Sequence, residues 1–131
     1  MEKHKNEVEQ LVRKLQNTWL ENRVADLTPF FDENVVFCSP GRTERIVGKE
    51  AMIESYKEFL SASTVHNFQI TNLDIDIFHE TEIAVLTFNV SYELKDKIYD
   101  EKGTDIMVLR KSKSNWKIVW RTQIPMHDSV A

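Results

Sequence analysis

Cysteine, glycine and proline are scarce in this sequence, which contains one cysteine, three glycines and three prolines among 131 residues. A single cysteine excludes an internal disulfide and a metal cluster built from cysteines. The sequence also lacks a glycine-rich phosphate loop, zinc-ligand spacing and a nucleophile elbow. Because no linker or low-complexity stretch interrupts the chain, we expect a single domain over residues 1–131.

Long apolar runs and an excess of basic residues are missing as well. No run approaches the roughly 20 apolar residues that a membrane span requires, so we expect no membrane partner. The formal net charge is −4, and basic residues near the N-terminus alternate with acidic ones, which argues against a nucleic-acid partner. Because the N-terminus is charged and has no apolar signal segment, a cytoplasmic location is expected.

The composition that remains, with 41% hydrophobic and 29% charged residues, is typical of a globular domain. The first half of the chain has helical periodicity. Residues 3–22 carry one apolar stripe, a short helix is expected near residues 26–31, and a third helix is expected over residues 48–60. A short strand at residues 35–37 precedes a turn at residues 39–41.

From Thr64 onward the apolar period changes to two, which is typical of β-strands. The phase set by Phe68 and Ile70 is reversed from Leu73 onward. A phase slip inside one long strand indicates a β-bulge, and bulges bend strands. We therefore expect a curved sheet with a concave face that the helices cover.

Three more strands are expected, over residues 83–94, 104–110 and 116–124, with a bend at residues 100–103. Long sequential strands favour an antiparallel meander. Because helices come first and strands last, the predicted fold class is α+β. We expect a cone-shaped domain in which three N-terminal helices pack on a strongly bent antiparallel sheet.

Three phrases of the sequence resemble the SnoaL-like branch of the nuclear transport factor 2-like superfamily. They are "NTWLENRVADLTPFFDENVVFCSPG" at residues 17–41, "IVGKEAMIESYKEF" at residues 46–59 and "VLRKSKSNWKIVW" at residues 108–120. Their order and spacing extend the resemblance over about residues 8–124. The resemblance implies the conical fold of that superfamily, which isomerases, cyclases, dehydratases, hydrolases and non-enzymes share, so it does not specify an activity.

The chain departs from the catalytic pattern of the ketosteroid isomerases in this superfamily. Those enzymes place a carboxylate before the proline of the turn preceding the third helix, where this chain has Ser39. Their oxyanion-donating tyrosine corresponds to Leu15, and their second acid corresponds to Asp105. Many relatives end the last strand with a His-x-His pair, where this chain has Trp120 and Thr122. A ketosteroid-isomerase reaction is therefore not expected, and no metal or cofactor is implied.

Asp105 and His66 are the candidate acid/base residues. Apolar residues on both faces of its strand leave open whether Asp105 faces a cavity, where desolvation would raise its pKa, or faces solvent beside Arg121. His66 precedes Phe68 on the same predicted strand face and is a candidate general base. A structural histidine, or one at the exposed start of the strand, is the alternative.

Large aromatic residues with a polar atom are the candidates for lining a ligand cavity. Trp120 is the foremost of these, because it occupies a position where relatives place a pocket histidine, and Thr122 follows it in the same pattern. The predicted lining residues are Trp19, Tyr56, Tyr92, Trp120 and Thr122.

Two functions fit this pattern. The first is a pocket protein that binds a small apolar or weakly polar ligand and catalyses a proton transfer such as isomerisation, cyclisation or dehydration, with Asp105 or His66 as the acid/base. The second is a non-catalytic dimeric domain for ligand binding or protein association, which the replacements at Ser39 and Leu15 favour. In either case, we expect a homodimer through an uncovered apolar sheet face that includes Val90, Tyr92 and Ile118.

Overall fold

A computed structural model describes residues 2–126 of the chain. The rest of the predicted domain, residue 1 and residues 127–131, lies outside the described residues. Two α-helices, α1 (Glu2–Leu20) and α2 (Lys49–Ala62), are joined by a segment that includes a 3-10 helix at Val24–Phe30. The strands are β1 (Phe31–Cys38), β2 (Arg45–Val47), β3 (Ser63–Phe78), β4 (Thr81–Leu94), β5 (Lys97–Ser112) and β6 (Asn115–Met126).

The predicted apolar stripe forms the buried face of α1. Val8, Val12, Leu15 and Trp19 recur at helical spacing and are buried. This face packs against β3 and β4. None of the described helices is long and apolar enough to cross a membrane.

The strands form one six-stranded sheet in the order β2-β1-β6-β5-β4-β3. Strands β3 to β6 are the predicted antiparallel meander. β1 lies beside β6 and runs parallel to it, which extends the sheet beyond the meander. The predicted α+β fold, with helices packed on a curved sheet, is confirmed.

Irregularities in strand pairing account for the curvature of the sheet. The register between β3 and β4 shifts between Ile70 and Asn72, which confirms the bulge predicted from the phase slip. A second shift in β3 falls at His66. The register between β5 and β6 also shifts, leaving Val119 without a partner on β5. Each shift reverses which residues face the core, so these positions decide the composition of the concave face.

The predicted bend at residues 100–103 is wrong, because β5 continues through this segment as part of a strand starting at Lys97. Gly103 is not part of a turn but allows a close contact within the sheet. It pairs with Phe88 on β4, and a Cβ atom at Gly103 would lie 2.7 Å from the Phe88 ring. The glycine therefore lets an aromatic ring lie directly over the neighbouring strand.

Residues that were expected on a dimer face lie on the concave face of the sheet instead. Ile118 is fully buried in the core. Val90 and Tyr92 line a cavity on the same side as the helices. The opposite, convex face presents a row of register partners across four strands, Val36, Trp120, Val108 and Ile83. Placing Val90, Tyr92 and Ile118 on the uncovered face is corrected accordingly.

Glu82 is a carboxylate that is fully buried near the start of β4. Neither of its oxygens has a hydrogen-bond partner among the described residues. Burial raises the pKa of Glu82 above its usual value, and this outweighs the nearby positive charge of Lys111 and of His4 when protonated, while Glu7 adds to the increase. A buried ionised group without a partner lowers the stability of a fold.

We predict that Glu82→Gln stabilises the protein by about 1–2 kcal/mol at pH 8, because it removes a buried charge. The folded state holds the Glu82 proton more tightly than the unfolded chain does, so the wild type loses stability as pH rises from the usual carboxyl pKa through the raised one. Thermal unfolding at pH 5 and pH 8 should show a larger gain at pH 8. Asp76→Asn, which changes an exposed carboxylate on β3, is the control. A lower melting temperature for Glu82→Gln at both pH values would contradict this account.

Candidate functional site

A cavity of about 350 Å³ lies between the two α-helices and the concave face of the sheet. Most of its wall is apolar and aromatic. These residues are Trp19, Phe37, Ile46, Met52, Phe59, Phe68, Phe88 and Val90. A lining of this kind favours a mostly apolar ligand, oriented by the few polar groups that interrupt it.

Strand geometry brings three polar side chains to one part of this wall. On β5, Asp105 shares the inward phase of the buried residues Met107 and Leu109. On β6, the bulge at Val119 moves Arg121 and Gln123 into the inward phase. Asp105 pairs in register with Gln123, and Met107 pairs with Arg121, so the three polar side chains are neighbours on the concave face.

Asp105 and Arg121 form a buried, bidentate ion pair. Arg121 Nε lies 3.0 Å from Asp105 Oδ1, and Arg121 Nη2 lies 2.6 Å from Asp105 Oδ2. Gln123 Nε2 donates a third hydrogen bond, to Asp105 Oδ2 at 3.1 Å. Asp105 is only 1% exposed and Arg121 only 4%. The sequence left open whether Asp105 faces a cavity or faces solvent beside Arg121. In the structure it lines the cavity, and its pair with Arg121 is buried there.

Tyr56 extends this network from α2. Arg121 Nη1 donates a hydrogen bond to Tyr56 Oη, and the guanidinium carbon lies 5.6 Å from the centre of the tyrosine ring. Burial raises the pKa of Tyr56, so the phenol keeps its proton at neutral pH. Because the oxygen accepts from Arg121, the Tyr56 hydroxyl hydrogen remains available as a donor.

The charges of this network neutralise one another. Burial by itself would lower the pKa of Arg121, but the Asp105 carboxylate and Tyr56 oppose that effect and raise it. Arg121 is therefore a permanent cation that faces a carboxylate. We call Asp105, Arg121, Tyr56 and Gln123 the polar network. It presents to the cavity a fixed, neutral set of hydrogen-bonding groups rather than a free charge.

A second polar feature of the cavity lies on α1. Trp19 Nε1 donates a hydrogen bond to Gln16 Oε1 at 2.5 Å. Gln16 is buried and lines the cavity. Gln16 was not among the predicted lining residues, although the sequence contains the signal: Gln16 lies on the apolar stripe of α1, four residues after Val12 and three before Trp19.

Tyr92 lines the cavity and lies beside Glu101. Glu101 also lines a wider cleft of about 910 Å³. The Tyr92 hydroxyl donates to Glu101 Oε1 at 3.0 Å, and the tyrosine ring contacts Phe59. Burial and the neighbouring Glu101 raise the pKa of Tyr92 to about 12.

Ser39 lines the wider cleft, where its Oγ accepts a hydrogen bond from the Glu44 backbone N–H at 2.8 Å. The Ser39 hydroxyl therefore stabilises the turn before β2.

The prediction of a pocket position for His66 is corrected by the structure. The His66 side chain is 47% exposed, and its Nε2 lies 3.4 Å from Glu93 Oε1. It does not line the cavity. The register shift at His66 turns this residue away from the face to which Phe68 belongs. The alternative of a histidine at the exposed start of the strand describes it correctly.

Trp120 and Thr122 do not line the cavity either, and their predicted positions are corrected. Trp120 is 37% exposed on the convex face. Thr122 shares its strand phase, and Thr122 Oγ1 donates to the Cys38 carbonyl at 2.5 Å. The bulge at Val119 is the cause, because it gives the inward phase to Arg121 and Gln123 instead. Trp19, Tyr56 and Tyr92, by contrast, line the cavity as predicted.

Within residues 2–126, no group of three or more histidine, cysteine, aspartate or glutamate side chains is arranged to hold a metal ion. The polar groups of the described cavity wall are hydrogen-bond donors, a buried ion pair and the carboxylates of Glu44 and Glu101. Such an arrangement can orient a ligand, polarise a carbonyl group or hold a proton on Tyr56.

Comparison with known sequences and structures places this geometry in context. The sequence profile of the SnoaL-like domain matches residues 8–123. No protein with a curated description matches the sequence. Several solved structures share the fold at low sequence identity, which bears on architecture and not on activity.

Three of these structures show how widely the fold is used. An NTF2-like protein from Cytophaga hutchinsonii is 18% identical, with a TM-score of 0.79 over 93% of this chain and 98% of that one. A ketosteroid isomerase-like protein from Erwinia carotovora atroseptica is 12% identical, with a TM-score of 0.78 over 94% and 96%. The CaMKII hub of S. rosetta is 15% identical, with a TM-score of 0.76 over 92% and 89%.

We predict that Asp105→Asn destabilises the protein by about 3–5 kcal/mol, because it leaves the buried Arg121 charge without a counterion. Urea unfolding at neutral pH measures the loss. Glu93→Gln, which removes a carboxylate that is 42% exposed beside His66, should change stability by less than about 0.5 kcal/mol. Replacing both partners, with Asp105→Leu and Arg121→Met, should recover part of the loss. A loss below about 1 kcal/mol for Asp105→Asn would mean that the ion pair contributes little.

Proposed function

Because this chain belongs to the family of SnoaL-like domains, we propose that it binds a small, mostly apolar molecule in the cavity between its helices and the concave sheet face. The observation that carries the proposal is the polar network in the wall of an otherwise aromatic cavity. The apolar wall supplies affinity by removing ligand surface from water, and the polar network orients the ligand.

Tyr56 is the member of the polar network that contacts the ligand in this proposal. Both oxygens of Asp105 accept hydrogen bonds from Arg121 and Gln123, so the carboxylate is already satisfied. Tyr56 Oη accepts from Arg121, which polarises the phenol and leaves its hydrogen free. The ligand therefore places a hydrogen-bond acceptor against Tyr56.

A proton-transfer reaction is a second candidate function, and the same contact favours it. Burial raises the pKa of Tyr56 and Arg121 opposes that effect, so the phenol keeps its proton at neutral pH and can donate a hydrogen bond to a developing oxyanion. In this scheme Asp105 holds Arg121 in place rather than acting as the base. Isomerisation, cyclisation and dehydration each contain such a step.

Self-association is a further proposal, which concerns the convex face and is compatible with ligand binding. Val36, Trp120, Val108 and Ile83 form an apolar row across four strands, with Ile124 and Met126 exposed farther along β6. Apolar residues in a continuous row on an uncovered sheet face favour burial against a partner. We propose that a second copy of the chain covers this row in a homodimer.

The ligand-binding proposal predicts that 2-naphthol, a small aromatic molecule with a polar end, binds in the cavity. In a two-dimensional NMR titration, the Trp19 indole N–H resonance should move. Tyr56→Phe should weaken binding about 3- to 10-fold, the equivalent of one hydrogen bond. Tyr99→Phe, which removes a hydroxyl from the outer cleft only, should leave affinity within about twofold. Binding that leaves Trp19 and the other cavity resonances unmoved would count against the proposal.

The self-association proposal predicts a dimer in sedimentation or light scattering at high micromolar concentration. Trp120→Glu should convert it to a monomer, because the charge would be buried without a partner. Ile98→Glu changes another exposed apolar residue, near the start of β5 and at the opposite end of that strand from Val108, and should remain dimeric. A wild-type protein that is monomeric at that concentration would exclude the homodimer.

A further inference from the structure

Gln16 contains a buried hydrogen-bond donor that nothing in the described chain satisfies. The residue is only 3% exposed and lines the cavity. Its Nε2 atom has no hydrogen-bond partner among residues 2–126. Leaving a buried amide donor unpaired costs free energy, and native structures contain few such groups. An unpaired donor on a residue that lines the cavity therefore favours a bound molecule that supplies an acceptor.

The orientation of the Gln16 amide is fixed by its neighbour on the next helical turn. Trp19 Nε1 is a donor only, so the atom that it contacts at 2.5 Å must be the Gln16 oxygen. The amide cannot turn over without placing two donors against each other. Trp19 is thus a positioning residue, which keeps Gln16 Nε2 as the unpaired atom.

The partner of Gln16 must be an acceptor, and the surrounding charges indicate an uncharged one. The polar network is neutral, because Asp105 compensates Arg121. Two carboxylates, Glu44 and Glu101, line both the cavity and the wider cleft that adjoins it. An anionic ligand would have to approach these carboxylates and lose its hydration in an aromatic cavity, with no free cation in the described cavity wall to compensate.

We propose that Gln16 Nε2 donates a hydrogen bond to the carbonyl oxygen of an uncharged, mostly apolar ligand, in an orientation set by Trp19. This proposal rests on the proposed ligand-binding function and specifies the chemical class of the ligand. A neutral carbonyl oxygen is an acceptor, so it can take the hydrogen bond from Gln16 without a compensating charge on the protein.

The experiment compares two probes of nearly the same shape, 2-acetylnaphthalene, which has a carbonyl acceptor, and 2-ethylnaphthalene, which has none. Affinities for the full chain are measured by NMR titration. We expect the ketone to bind about 3- to 10-fold more tightly, as one or two neutral hydrogen bonds allow. The Gln16 side-chain amide resonance should move downfield with the ketone and not with the hydrocarbon.

Gln16→Met keeps the length of the side chain and removes the donor. We expect it to reduce the ketone preference, the ratio of the two affinities, to less than about twofold. Gln69→Met, which replaces an exposed glutamine on β3, should keep the preference. If Gln16→Met does not fold, the wild-type amide shift and the affinity ratio of the two probes still decide the question.

Each outcome separates this inference from the proposed function. Equal affinities for the two probes, with both moving the Trp19 resonance and neither moving the Gln16 amide, would overturn the role of Gln16 and leave ligand binding in place. Tighter binding of 2-naphthoate than of the ketone would overturn the uncharged class. Failure of all the probes to perturb any cavity resonance would overturn the proposed function, and the role of Gln16 with it.

Discussion

The buried ion pair between Asp105 and Arg121 is the interaction on which the arrangement of the cavity depends. Removing two charges from water costs several kcal/mol for each ion, so the pair is tolerated only where its geometry is nearly complete. Here a bidentate contact and a hydrogen bond from Gln123 satisfy the carboxylate. Because Arg121 also contacts Tyr56 on α2, the pair joins two strands to a helix across the cavity wall. The same contacts that neutralise the charges therefore determine where the phenol lies.

This constraint relates the stability of the fold to its proposed function. The aromatic lining of the cavity provides apolar contact area but does not orient a ligand. The polar network and Gln16 offer hydrogen bonds that do. Solved structures that share the fold include a ketosteroid isomerase-like protein and a CaMKII hub, so architecture alone does not select a role. The features of this chain that bear on a ligand are the neutral network and a donor on α1. Together they favour an uncharged ligand with an acceptor at one end.

Most of the fold could be predicted from the sequence because the spacing of apolar residues follows which residues are buried. The reversal of phase between Ile70 and Leu73 located a bulge because polar residues separate the two apolar sets. The bulge at Val119 left no such trace, since Ile118, Val119 and Trp120 are all apolar. The bulge at Val119 therefore places Arg121, rather than Trp120, on the concave face. The location of Asp105 was undecidable for the same reason, because its strand carries apolar residues in both phases.

A crystal structure of the purified protein would test the central claim most directly, which is that a neutral polar network borders an open, mostly apolar cavity. The account predicts that Asp105 contacts Arg121 in a bidentate manner, that Arg121 contacts Tyr56, and that the space beside Tyr56 holds a ligand or ordered water. A cavity closed by the side chains of Trp19, Phe59 and Phe68, with Asp105 turned to solvent, would contradict it and leave the convex face as the place to look for function.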